Sequence, residues 1–75
     1  MPSVSRGDFV RYTGDIGNLV RFVEIDDQDI VRNFLNNSPL LVSDTLDDGQ
    51  VEIEIYINDV IHFFYVGEVD IQKIF

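Results

Sequence analysis

Cysteine and tryptophan are absent from this chain, proline occurs twice and histidine once. Without cysteine there is no disulfide and no thiolate zinc site to staple a small fold. A chain of 75 residues builds one core, worth only about 3 to 5 kcal/mol at this size, so self-association becomes an option for further stability. A lone histidine also leaves no His or Cys–His set for a hydrolytic metal or an activated thiol. Cations are scarce as well: five Lys and Arg face fourteen Asp and Glu, for a net charge of -9. Such a charge repels phosphates and anionic lipid heads, which disfavours direct nucleic-acid or membrane-surface binding. No apolar run approaches the roughly 20 residues that span a bilayer. The longest, Val60 to Val66, contains His62. With no basic-then-apolar leader, the expected location is the cytoplasm.

What is present is enough to fold. Hydrophobic residues make up 45% of the chain, with six Phe and three Tyr, above the level of a disordered acidic segment. One domain over 1–75 is expected, with residues 1–5 flexible. The charge is lopsided: residues 33–75 hold eight acids against Lys73 alone, so the second half is the negative pole.

Read for periodicity, Phe9 to Thr13 is a strand, Gly14 to Gly17 a turn, and the Val, Phe and Ile of Leu19 to Ile25 a second strand with a phase change near Phe22. Ile30, Val31, Phe34 and Leu35 share one helical face, so a short helix around 27–36 is expected, capped by Asp26 or Asp27 and stopped by Asn36 to Pro39. Leu40 to Thr45 is a third strand and Asp47-Asp48-Gly49 a turn. Val51 to Ile57 alternates strictly, Asn58-Asp59 suits a two-residue hairpin loop, and Val60 to Val66 returns as a fifth strand. The tail Glu68 to Phe75 closes as a helical turn or a last short strand. The fold expected is mainly β, with α+β as the variant: either a small SH3-like barrel or a strongly bent five-stranded antiparallel sheet.

Gly7-Asp8-Phe9-Val10-Arg11-Tyr12-Thr13-Gly14, followed by Gly17 and Val20, resembles the first hairpin of KOW-type and other SH3-like small β-barrels. Glu68 to Ile74 is similar to the short closing element of such barrels. The resemblance implies a barrel. The basic residues with which many KOW modules touch RNA are mostly missing, and the segment 26–39 is long for a barrel loop, so it implies no RNA binding.

No catalytic constellation emerges. Asp44 to Glu54 has Asp44, Asp48 and Gly49 where a calcium loop would, but Leu46 takes a ligand position and Ile55 the place of the terminal Glu. Asp26, Asp27 and Asp29 read as a solvated helix start, and His62 as a core or rim imidazole. Arg11 and Arg21, on adjacent expected strands, form at most a second contact patch. The chain is therefore read as a non-enzyme without cofactor or metal.

The hairpin 51–66 carries the functional reading. Its register sets Ile57 opposite Val60, Tyr56 opposite Ile61, Glu54 opposite Phe63 and Glu52 opposite Tyr65. One face is core-like apart from His62. The other holds Glu52, Glu54, Tyr56, Ile61, Phe63 and Tyr65, too apolar for an ordinary wet face, so the 26–39 helix, a second copy or a foreign partner should cover it. The expectation is a small acidic protein-binding module, an adaptor, inhibitor or regulatory subunit, whose partner is basic and apolar, with a homodimer as a further option. The alternative is an acidic nucleic-acid mimic of the kind phages use to block DNA- or RNA-binding proteins.

Overall fold

The computed structural model describes residues 4–74. Its strands are β1 (Phe9–Tyr12), β2 (Leu40–Thr45), β3 (Gln50–Ile57), β4 (Val60–Gly67) and β5 (Ile71–Lys73). The helices are α1 (Gly17–Val20) and α2 (Gln28–Asn37), with single 3-10 turns at Ile25–Asp27 and Glu68–Asp70. All pairings are antiparallel and the spatial order is β4-β3-β2-β1-β5. Of the two architectures expected, the open sheet is the one present. β4 and β5 lie at opposite edges and do not meet, so no barrel closes. A five-stranded antiparallel sheet is compatible with an SH3-like arrangement, but the chain that would return beside β1 as a second strand is instead a short helix, a turn and a 3-10 turn.

That helical segment corrects the reading of Leu19 to Ile25 as a strand, and the cause lies in the spacing. Ile16, Leu19, Val20 and Val23 fall at helical intervals and all pack on the core, whereas Phe22 and Ile25 point to solvent at 77% and 82% exposure. The phase change is thus the mark of a 3.6-residue period, which β-branched composition obscured. Asp15 starts the turn, its Oδ1 accepting the Gly17 amide at 2.9 Å. At Gly14 the Tyr12 ring folds close over the backbone: a Cβ there would lie 2.6 Å from the Tyr12 hydroxyl oxygen and would displace that ring. Arg21, expected on a strand next to Arg11, instead ends α1 and sits over the Phe22 ring at 4.7 Å.

α2 matches the expected helix to within a residue at each end. Asp27 occupies its N-cap without a side-chain cap, because the preceding 3-10 turn already runs into the helix. Gln28 Nε2 donates to the Val23 carbonyl at 3.0 Å and ties the two segments together. At the other end Ser38 is extended, as a residue before proline prefers. Val31 and Leu35 are buried and Phe34 packs at the rim, while Ile30 is exposed, a narrower apolar stripe than its four apolar positions suggest.

The core lies between the helical layer and the inner face of the sheet, where Val10, Leu40, Val42, Val51, Ile53, Ile55, Phe64 and Val66 meet Val20, Val31 and Leu35. Of the first five residues, 1–3 lie outside the described part. Val4 is in the core at 2% exposure, and the Ser5 amide donates to Asp8 Oδ2 at 2.8 Å. The tail supplies both expected elements, a 3-10 turn and then β5, which pairs with β1 from Val10↔Lys73 to Tyr12↔Ile71.

Candidate functional site

The β3–β4 hairpin is built as its turn demands. Asn58 and Asp59 have φ of 52° and 65°, the left-handed pair of a two-residue loop whose twist matches the strands. Pairing is continuous from Ile57↔Val60 to Gln50↔Gly67 and includes Tyr56↔Ile61, Glu54↔Phe63 and Glu52↔Tyr65. With a period of two, Ile53, Ile55, Phe64 and Val66 enter the core, and the six expected site residues share the opposite, outer face.

Helix α2 does not cover that face, since its buried side chains Val31 and Leu35 join the inner cluster. Tyr56, Ile61, Phe63 and Tyr65 are 56%, 45%, 51% and 57% exposed. Of the possible covers named from the sequence, the helix is therefore on the wrong side.

The carboxylates are held rather than free. Ser43 Oγ donates to Glu52 Oε1 at 2.7 Å, and the Tyr65 hydroxyl donates to the same carboxylate, which pushes the Tyr65 pKa up. Glu52 and then Asp44 add repulsion against the phenolate. The Tyr56 hydroxyl donates to Glu54 Oε1, and this bond is the main cause of an upward shift there too. Each tyrosine thus presents its ring to solvent while its hydroxyl steadies a charge.

The face extends further than the hairpin. Phe9 pairs with Leu41, Leu41 with Glu54 and Glu54 with Phe63, one row across four strands. Asp44 pairs with Glu52 in the next row. Phe9, Leu41, Ser43 and Asp44 were not assigned to this face from the sequence. The alternation of β1 and β2 around Val10, Leu40 and Val42 could have found the first two. Ser43 follows the same alternation, but Asp44 could not be found that way, because the register shifts between Val42 and Asp44 and turns Asp44 to the face that simple alternation denies it.

On the inner side, an open groove of about 980 Å³ separates β4 from the α1 segment; Leu19, Phe22, Val23, His62 and Phe64 contribute to its lining. His62 is half-buried there, paired across the hairpin with Ile55, on the side expected. Tyr12 and Asp70 lie at the same groove, and burial, then Asp70 and Asp15, raise the Tyr12 pKa. Among the described residues no three His, Asp or Glu converge as metal ligands, Asp26, Asp27 and Asp29 included. No helix among them is long and apolar enough to cross a membrane. No family model, curated protein or solved structure matches the chain, so the geometry of the face stands on its own.

Proposed function

We propose that this protein is a small binding module, of the adaptor, inhibitor or regulatory-subunit type, that docks a partner protein on the outer face of its sheet. The observation that supports this most is the exposure of Tyr56, Ile61, Phe63 and Tyr65 together on one side of a single hairpin. Exposed apolar groups scattered over a surface need no explanation, but a contiguous aromatic patch does. Tyrosine and phenylalanine are the side chains that anchor interfaces, because they bury large area while losing few torsions.

The chemistry of the partner follows from what surrounds the rings. Glu52, Glu54 and Asp44 stand among them, and β2, β3 and β4 carry no Lys or Arg. A partner with apolar side chains flanked by Lys or Arg satisfies both parts, the rings providing affinity and the acids orientation and encounter rate. The nucleic-acid mimic is the weaker reading, since the tyrosine hydroxyls bind the carboxylates into an aromatic surface instead of leaving an acidic ridge.

The test is capture from extract by the wild type, by Phe63→Asp and by the double variant Glu52→Lys, Glu54→Lys, washed at low and then high salt. A protein held through high salt by the wild type and lost by both variants supports the module. Retention by both variants overturns the site. Binding lost by the wild type itself in high salt points to the mimic.

A further inference from the structure

The two edges of the sheet are unlike each other. β5 has three residues, and its Lys73 pairs with Asp8 at 3.5 Å, the short, charged form in which natural edges resist joining other strands. β4 has eight residues, Val60–Gly67, with no Asp, Glu, Lys, Arg or Pro, and its pairing with β3 runs without a bulge. Among the described residues nothing pairs with its free side.

The hairpin geometry fixes which backbone groups point to that free side. In a two-residue hairpin the residues flanking the loop form a narrow, doubly hydrogen-bonded pair, and narrow and wide pairs then alternate. Val60, His62, Phe64 and Val66 therefore bond to β3, while the N–H and C=O groups of Ile61, Phe63 and Tyr65 face outward. Those are the residues whose side chains also form the exposed patch.

We infer that β4 is a self-association edge, at which two copies pair their β4 strands antiparallel about a two-fold axis at Phe63 and merge two five-stranded sheets into one. The charge distribution favours a second copy as the occupant. A chain of net charge -9 repels its own kind, but Val60 to Val66 is the stretch where that charge is missing, and Phe63 is its midpoint. Paired this way, the run lies wholly against itself: Phe63 meets Phe63 of the other copy, Ile61 meets Tyr65, and the three outward-facing residues make three narrow pairs. The Glu54 carboxylates of the two copies then stand three strand spacings apart, roughly 14 Å, beyond the screening length of about 8 Å at physiological salt. On the inner side, Val60 of one copy, exposed at its turn, comes beside Val66 of the other, at the groove that Leu19, Phe22 and Val23 also line. The inference rests on backbone groups of the edge and not on the proposed partner face, so either can fail alone.

Amide hydrogen exchange, read residue by residue at micromolar and millimolar protein together with sedimentation, tests this. The expected result is a dimer at the higher concentration in which the Ile61, Phe63 and Tyr65 amides become protected, while the amides of Val60, His62, Phe64 and Val66 are protected at both. Phe63→Pro removes one outward N–H without touching the β3 ladder and should abolish the dimer. If that variant does not fold, the wild-type exchange pattern decides. The double variant Glu52→Lys, Glu54→Lys should keep the protection even where it loses a foreign partner. A protein that stays monomeric at millimolar concentration, or a dimer in which those three amides exchange freely, overturns the inference.

Discussion

Phe63 and Phe64 are adjacent in sequence and opposite in environment, so the same substitution at each should give opposite outcomes. Phe63 is 51% exposed on the outer face and Phe64 is 8% exposed beside Ile53. Burying a whole Phe side chain contributes about 1.5 to 3 kcal/mol, so at Phe63 roughly half of that, about 1 kcal/mol, is at stake. An aspartate there also faces Glu54 directly, and a like-charge cross-strand pair costs up to about 1 kcal/mol. The sum, about 1 to 2 kcal/mol, falls below the roughly 3 to 5 kcal/mol that a single core supplies at this length. Phe63→Asp should therefore stay folded with a lowered urea midpoint. Phe64→Asp forfeits the full burial and places an unpaired carboxylate in the core, which costs several kcal/mol more, and should unfold. Urea titration followed by circular dichroism measures both. An unfolded Phe63→Asp, or a Phe64→Asp as stable as the wild type, would refute the assignment of the two faces.

Three further outcomes follow from named contacts. Asp59→Gly should raise the melting temperature, since residue 59 holds φ of 65° at no cost only as glycine, whereas Asn58→Val should lower stability by about 1 to 2 kcal/mol; thermal melts showing no difference between them would contradict the turn. Tyr56 and Tyr65 should ionise above the ordinary phenol value near 10, and Glu54→Gln should bring Tyr56 back toward it in an ultraviolet pH titration. Because the folded pKa lies above the unfolded one, the stability these bonds contribute is complete below about pH 10 and is lost as pH rises through the higher folded value. Val20→Ala should cost about 2 kcal/mol through a core cavity, against less than about 0.5 kcal/mol for Phe22→Ser; the reverse order in denaturant melts would restore the strand reading of 19–25.

How much of this was legible in the sequence varies with the kind of signal. Where period and turn chemistry agree, as in Val51 to Val66, the register can be read residue by residue, because Asn58-Asp59 fixes the loop length and the alternation fixes the face. α2 was legible from four apolar positions and a following proline, although its missing side-chain cap was not. Leu19 to Ile25 misled because Val, Phe and Ile favour strands while their spacing favours a helix, and here packing on the core decided. Which side α2 takes depends on the handedness of the connection and on contacts distant in sequence, and no local pattern encodes it. For the same reason the outer face looked smaller than it is: Phe9 and Leu41 join it only through pairings between strands far apart in the chain.

The strand order also divides the molecule in time. β2, β3 and β4 follow one another through tight turns and pair as neighbours, so this meander closes only short loops, while β1 and β5 bring together the two ends of the chain. Loop closure costs more entropy as the loop lengthens, and local pairings form first. The meander is then the natural folding nucleus, and the β1–β5 pairing a late seam. Substitutions in the hairpin should slow refolding, whereas those at the seam should chiefly speed unfolding. Until the seam closes, the sheet has a second open edge, at β1, besides the one that β4 keeps in the folded protein.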